Sequence, residues 1–175
     1  MLPVPSHLKN ILVPKSGIKE EDVLIGNLRC RCGSERFVLM YPGQTHEYKG
    51  DIIPCTAEID GNFFFLIKAK CGKCGQEHLL FDKDFHGWDG LMCHDDAEAK
   101  LPRPPLIPWK CLSCGDLSHK ATVKINFENK EDFIEQSCGE YDVDRWPDAF
   151  QWIWMTITCC NCSLVTENWV DYETA

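Results

Sequence analysis

The segment Trp109-Lys-Cys-Leu-Ser-Cys-Gly115 carries two cysteines that are separated by two residues and followed by glycine. Three further segments repeat this arrangement, with one shorter spacing and one serine in place of glycine: Leu28-Arg-Cys-Arg-Cys-Gly33, Lys70-Cys-Gly-Lys-Cys-Gly75 and Thr158-Cys-Cys-Asn-Cys-Ser163. Glycine after the second cysteine is typical of a tight turn that needs a positive φ angle. The chain therefore contains four similar cysteine turns.

These turns account for eight of the twelve cysteines in the 175-residue chain. Neighbouring cysteines pair poorly in a disulfide, but their thiolates converge readily on one tetrahedral metal ion. We therefore predict two structural Zn²⁺ sites, formed by Cys30, Cys32, Cys71 and Cys74 and by Cys111, Cys114, Cys159 and Cys162. Two alternatives stay open: Cys160 in place of Cys159, and iron in place of zinc, since both metals accept four thiolates.

The order of the turns indicates an internal repeat. We divide the chain into an extended N-terminal arm (1–27), a first repeat (28–94), a linker (95–108) and a second repeat (109–175). The linker lies where four prolines fall within seven residues. Proline excludes helix and stiffens an extended chain, so this segment is predicted to be a spacer. The arm is expected to pack on the first repeat.

Both repeats are rich in the β-branched and aromatic residues that favour strands. We predict strands at 36–41, 56–59, 63–70, 121–127 and 151–158, a hairpin turn at Asp60-Gly61, and one short helix at 130–136. Aligning the repeats on their cysteines matches two alternating apolar sets, which we assign to the cores. They are Phe65, Ile67 and Ala69 in the first repeat and Ile153, Met155 and Ile157 in the second.

Three antiparallel strands with cysteine turns at one end resemble a zinc ribbon. The whole chain resembles a tandem, duplicated pair of zinc ribbons, of the kind expected in an uncharacterised bacterial zinc-ribbon family. This resemblance implies an all-β fold with little helix and two structural metal ions. It does not imply a function, because function depends on sites rather than on the fold.

The opposite faces of the matched strands carry candidate partner contacts. These are Phe64 and Leu66 in the first repeat and Trp152 and Trp154 in the second. A small ribbon cannot bury both of its faces alone. The four side chains are therefore expected either to pack the repeats against each other or to form a partner surface.

The segment Phe85-His-Gly-Trp-Asp-Gly90 is predicted to be an exposed loop that presents His86, Trp88 and Asp89 to a partner. The structural alternative is that Trp88 caps the core of the first ribbon. A weaker hypothesis joins Cys93, His94 and His86 in a third metal site or a thiol nucleophile. Cys55, Cys138 and Cys160 show no matching framework.

Charge is distributed unevenly along the chain, whose net charge is −9. Residues 1–94 have a net charge of −1 and residues 95–175 one of −8. Nucleic acid is disfavoured as a partner of the second repeat, because phosphates require positive charge. Basic residues cluster instead around the first cysteine group: Arg29, Arg31, Arg36, Lys68, Lys70 and Lys73.

We expect a zinc-binding, non-catalytic interaction or adaptor protein whose partner is another protein. The alternatives are a nucleic-acid-binding regulator that uses the basic first repeat, and an inhibitor or immunity-type protein that uses its acidic second half. No phosphate loop, HExxH or GxSxG motif points to catalysis. Without a secretory-signal pattern or a long apolar run, the expected location is the cytoplasm.

Overall fold

The computed structural model describes residues 2–16, 20–93 and 102–175. Within these ranges the chain is mostly β with little helix, as predicted. Its strands are β1 (Leu12–Pro14), β2 (Val23–Leu28), β3 (Phe37–Tyr41), β4 (Thr45–Tyr48), β5 (Asp51–Pro54), β6 (Ala57–Ile59), β7 (Asn62–Phe64), β8 (Leu66–Cys71), β9 (Glu77–Asp82), β10 (Ile107–Pro108), β11 (Ser118–Phe127), β12 (Phe150–Cys159) and β13 (Val165–Glu173). The α-helices are α1 (Gly87–Met92) and α2 (Lys130–Gln136), and Ser6–Leu8 and Val143–Asp148 form 3₁₀ turns.

Nine of the described strands form one curled antiparallel sheet, and the hairpins β4–β5 and β6–β7 stand beside it. The predicted Asp60-Gly61 turn is confirmed, since both residues have positive φ, 52° and 77°. The β4–β5 hairpin was not predicted. Its turn at Lys49-Gly50 also has two positive φ angles, 51° and 90°, which matches the twist of the flanking strands.

Each cysteine group belongs to three consecutive strands of the sheet. In the first repeat β8 lies between β3 and β9, and in the second β12 lies between β11 and β13. The register of the central strand shifts at the matching place in both, between Ile67 and Lys68 and between Met155 and Ile157. The repeat seen in the cysteines therefore extends to the strand order and its irregularity.

The two repeats exchange strands in a reciprocal way. Strand β2, which precedes the first cysteine turn, pairs with β11 of the second repeat and places Gly26 opposite Val123. Strand β10, which precedes the third cysteine turn, pairs with β3 of the first repeat and places Ile107 opposite Tyr41. Gly26 and Ile107 are equivalent, because each lies four residues before the first cysteine of its turn.

A pseudo-two-fold axis relates the repeats. Phe37 and His119 occupy equivalent positions, five residues after the second cysteine of their turns, and they pair with each other across β3 and β11. Pairing of equivalent residues is the pattern that an isologous dimer interface produces. The repeats are thus arranged like the two subunits of a symmetric dimer joined in one chain.

This arrangement refines the predicted segments. The 3₁₀ turn at Ser6–Leu8 contacts β9 of the first repeat, as expected of the arm, whereas β2 bonds to the second repeat. Part of the linker, residues 107–108, forms β10. Residues 94–101 lie outside the described ranges. The segment boundaries stay a prediction, but backbone hydrogen bonds cross them in both directions.

One continuous core serves both repeats. It contains the predicted sets on β8 and β12, where each of the six side chains is at most 3% exposed. In it, rings of the two halves pack on each other: Phe65 stacks on Tyr172 with centroids 5.0 Å apart, and Tyr41 packs edge-on against Trp109 at 5.3 Å. Because neither repeat encloses this core alone, the two must fold together.

The predicted helix at 130–136 is confirmed as α2, whose N-terminus is capped by the Asn129 side chain accepting a hydrogen bond from the Glu131 backbone N–H. The exposed loop predicted at 85–90 is only partly correct, since residues 87–92 form α1. In the parts of the chain that the structure describes, no helix is long and apolar enough to cross a membrane.

Candidate metal centres

The first cysteine group brings together four sulfur atoms from two turns, just before β3 and just after β8. Cys30 Sγ lies 3.5 Å from Cys74 Sγ, and Cys32 Sγ lies 3.6 Å from Cys71 Sγ. All four atoms lie within 4.8 Å of one another. Around a tetrahedral ion with Zn–S bonds of about 2.3 Å, neighbouring sulfurs are about 3.8 Å apart. The donor set therefore fits a single Zn²⁺.

The second group repeats this geometry closely. Cys111 Sγ lies 3.5 Å from Cys162 Sγ, and Cys114 Sγ lies 3.6 Å from Cys159 Sγ. The four sulfurs again lie within 4.8 Å of one another. Cys159, and not Cys160, supplies the fourth sulfur of the group. All eight predicted cysteines are thus brought together in the predicted sets of four.

The turns place the sulfurs through a repeated pattern of backbone hydrogen bonds. In three of them the backbone N–H of the first cysteine donates to the carbonyl of the residue five positions later. The carbonyl of the same cysteine accepts from the backbone N–H of the residue four positions later. These turns begin at Cys71, Cys111 and Cys159. At Cys30 both bonds close one residue earlier, to Ser34 and from Gly33. The Cys-x-Cys turn is therefore the same turn with one residue removed.

A positive φ closes every turn, as the sequence predicts for the three glycines. Gly33, Gly75 and Gly115 have φ angles of 83°, 75° and 75°. Ser163 takes the same role at the fourth turn with φ 62°. A side chain costs free energy in this region, so the serine marks the most strained of the four turns.

Each turn buries its first cysteine and leaves its second nearer to solvent. The pKa values of the thiols do not simply follow this burial, because local hydrogen bonds act on them as well. Burial opposes ionisation of Cys71, but the backbone N–H groups of Cys74 and Lys73 lower its pKa to about 6. The backbone N–H of Asp116, followed by the Asn161 side chain, lowers the pKa of Cys114 to about 6. Thiolate, the form that binds metal, is thus favoured at one cysteine of each group.

Four thiolates complete a tetrahedral shell and leave no position for water or substrate, which is the mark of a structural site. The two groups can therefore hold metal ions that tie distant turns together. The ion itself would supply folding free energy, because no preformed site exists in the unfolded chain. The side chains around the two groups, in contrast, are different.

The first centre has a basic rim. A depression of about 420 Å³ beside Cys32 is lined by Arg29, Arg36, Lys73 and Lys120, with Glu35 as the acidic member of the set. Glu35 lies 3.8 Å from both Arg29 and Lys120. Three of the basic residues predicted to surround this centre are therefore present, and Lys120 joins them from the second repeat.

The second centre has an apolar rim. Leu112 lies within the turn at Cys111, and Leu164 and Val165 follow the turn at Cys159. They are 53%, 39% and 48% exposed, and Cys159 donates its backbone N–H to the Leu164 carbonyl. Exposed apolar side chains thus lie on both turns of this centre, and proteins use exposed apolar surface for contacts.

The candidate contacts on the strand faces divide between the two repeats. Phe64 and Leu66 are each 3% exposed, so they contribute to the interior rather than to a contact surface. Trp152 and Trp154 are partly exposed and stack on each other, with centroids 5.4 Å apart and planes 10° apart. The Lys124 Nζ lies 5.2 Å from the Trp154 centroid. These tryptophans remain available at the surface.

The predicted loop contributes mainly to packing. His86 stacks on His7 with centroids 3.7 Å apart, and its Nδ1 accepts the Asp82 backbone N–H. Trp88 packs edge-on against Phe133 in a small cluster with Leu91 and Ala149, so its ring covers helix α2 rather than the core of the first ribbon. Asp89 is exposed.

The remaining cysteines lie outside both sulfur groups. Cys93 and Cys138 are exposed, and Cys55 and Cys160 are partly buried. His94, the second member of the hypothetical third site, lies outside the described residues. His86 is engaged with His7 and Asp82, and among the described residues it forms no metal-ligating cluster with Cys93.

The comparisons with known proteins give no relative. No known family model matches the chain, and neither a curated protein nor a solved structure matches it. Fold and site together define a mostly β protein with two equivalent four-cysteine centres that can hold metal ions.

Proposed function

We propose that this chain is a zinc-stabilised, non-catalytic interaction protein that presents the surfaces around its two metal centres to another protein. The observation that carries the proposal is the contrast between the centres. Two sulfur groups with the same closed geometry are surrounded by different side chains, basic at the first and apolar at the second. A structural metal needs neither rim, so the rims are free to serve recognition.

The apolar rim of the second centre is the favoured contact. It lies in the part of the chain that carries the net charge of −8. An apolar surface on a chain of net negative charge suits a partner that offers an apolar patch and carries net positive charge. This arrangement is also what an inhibitor or immunity-type protein would require, so that more specific role is a special case of the same proposal.

The test compares capture of protein partners by zinc-loaded wild type and by the double variant Leu112→Ser/Leu164→Ser. Val13→Ser is the matched control, because Val13 is 44% exposed on β1 and belongs to neither centre. We expect a stoichiometric partner whose capture falls about tenfold in the double variant and not in the control. Equal capture by all three proteins, with metal content unchanged, would exclude this rim as the contact.

A second candidate function is binding of a nucleic acid strand, and the basic depression beside Cys32 is the observation that favours it. Four cationic side chains and one carboxylate give this depression a local charge opposite to that of the whole chain. Binding of labelled single-stranded RNA should then weaken steeply with salt and with Arg36→Ser/Lys73→Ser. No retention at low salt would remove this candidate while leaving the protein-partner proposal intact.

A further inference from the structure

Another pocket lies between the β4–β5 hairpin and the strands β12 and β13, and none of the eight grouped cysteines lines it. Its volume is about 230 Å³, and its walls are His46, Tyr48, Ile53, Trp152 and Asp171. One water molecule occupies roughly 30 Å³ in the liquid. The pocket therefore has room for a group the size of a side-chain end.

Aromatic rings form most of its wall. The rings of His46 and Tyr48 stand nearly perpendicular, at 77°, with centroids 6.3 Å apart. Trp152 on β12 lines the same pocket and stacks in parallel on Trp154. Ile53, 3% exposed, contributes an apolar surface. Three rings from two strands thus border one open depression.

The polar member of the wall is a carboxylate. Asp171 Oδ1 accepts a hydrogen bond of 2.7 Å from Trp152 Nε1, which holds the carboxylate beside the indole. Cations of this chain already lie on two rings here: Lys49 Nζ is 4.8 Å from the centroid of Tyr48, a wall residue, and Lys124 Nζ is 5.2 Å from that of Trp154, which stacks on the wall residue Trp152. Ring faces and a carboxylate both attract positive charge and disfavour phosphate.

We propose that this pocket binds an alkylated ammonium group. A primary ammonium is strongly hydrated and carries three N–H donors, whereas the one charged acceptor of the lining is the Asp171 carboxylate, whose Oδ1 already accepts from Trp152. A methylated ammonium is weakly hydrated and gains most from ring faces, which is the recognition used by aromatic cages. The group has two possible sources, a methylated lysine of a protein or a free quaternary ammonium compound. Only the first source rests on the proposed protein partner.

The test is a titration of the zinc-loaded full-length protein with choline, followed by tryptophan fluorescence and by the indole N–H signals in NMR spectra. The neutral isostere 3,3-dimethylbutan-1-ol has the same shape without the charge. Variants Tyr48→Leu and Asp171→Asn remove one ring and the carboxylate charge. Phe63→Leu is the control, because Phe63 is 56% exposed on the other hairpin. A peptide with trimethyllysine is compared with its unmodified form.

We expect saturable binding of choline, no comparable binding of the isostere, and affinities about tenfold lower in Tyr48→Leu and in Asp171→Asn but not in Phe63→Leu. Binding of the trimethyllysine peptide without choline binding also supports the pocket and assigns the source to a protein. Equal binding of isostere and choline overturns the proposal, as does preferential binding of a nucleoside monophosphate. Because choline needs no partner protein, this result is independent of the capture experiment.

Discussion

The two cysteine centres share their skeleton and differ in their surroundings. Sulfur distances, the depth of each cysteine and the closing φ angles nearly coincide between them. The first centre, however, contains the shortened turn and the basic rim, while the second contains the strained Ser163 and the apolar rim. The shared features serve metal binding and folding. The features that differ are the ones available for distinct contacts.

The largest expected effect comes from removing one sulfur from either centre. Cys71→Ser and Cys159→Ser each abolish a closed shell that contributes roughly 10–16 kcal/mol to folding. Because both repeats share one core, we expect either variant to lose the whole fold rather than one half. Circular dichroism together with the zinc content per chain measures this.

A variant that retains one zinc and the near-ultraviolet signal of the tryptophans in its intact repeat, one in the first repeat or five in the second, would show that the repeats fold independently. The two centres would then belong to separate domains. Cys138→Ser is the matched control, since Cys138 is exposed and lies outside both groups.

The next effect concerns pH. Burial lowers the pKa of His7 to about 4, against the favourable charge of Asp148, and lowers that of His86 to about 3. Folding thus favours the neutral imidazoles. This stabilisation is complete above the unfolded pKa of about 6.5 and is lost as pH falls toward 4. For His7 the total loss in the free energy of unfolding is about 3 kcal/mol.

Urea unfolding between pH 7 and pH 4.5, with metal content followed in parallel, tests this expectation. His7→Phe keeps a ring on His86 without the titrating group, so its stability should fall less with acid. If the free energy of unfolding depended on pH equally in the variant and in wild type, the stacked His7–His86 pair would not be the cause of the acid destabilisation. His119, the equivalent of Phe37, also has a pKa lowered by burial and stays as an internal reference.

A smaller effect is expected at the equivalent positions Gly26 and Ile107. A Cβ on Gly26 would lie 2.8 Å from the Val13 carbonyl oxygen and 2.8 Å from the Leu12 side chain. Gly26→Ala should therefore lower the free energy of unfolding by about 1–3 kcal/mol. Ile107 is 46% exposed, so Ile107→Ala should cost less. Thermal unfolding measures both variants. Equal losses of stability would mean that β1 shifts at little cost to make room for the added Cβ.

The smallest effect is expected at the two rims. The Lys73 and Leu112 side chains are exposed and belong to no core cluster of the described residues, so Lys73→Ser and Leu112→Ser should each change the free energy of unfolding by less than about 0.5 kcal/mol. Guanidinium titrations of the zinc-loaded proteins measure it. A loss above 1 kcal/mol at either position would show that the rim is part of the scaffold and not free for recognition.

Local spacing made much of the site predictable from the sequence. A turn of four or five residues fixes where two sulfurs point, and strand alternation fixes the buried face, so the eight cysteines and the sets around Ile67 and Met155 could be named. The helix at 130–136 could likewise be predicted, and its cap, Asn129, is the residue directly before it. These features depend on neighbours along the chain.

The exchange of β2 and β10 could not be predicted in the same way. Strand pairing over about a hundred residues leaves no local pattern, and β10 has only two residues. The burial of Phe64 was not predictable either, since the Arg103 guanidinium, 39 residues further along the chain, lies 5.8 Å from its ring centroid. Helix α1 was missed because Gly87 and Gly90 suggest a loop, whereas in the structure Gly87 gives the chain room beside Thr174, whose side chain a Cβ would strike.

The reciprocal exchange has a consequence for synthesis on the ribosome. Asn27 on β2 and Thr122 on β11 are hydrogen-bonded partners 95 residues apart, so β2 is made long before the strand that completes it. Until then its apolar side chains and one edge have no partner, and a nascent or truncated chain is prone to aggregate. Early metal uptake by the first cysteine group would hold that unfinished half until the second emerges.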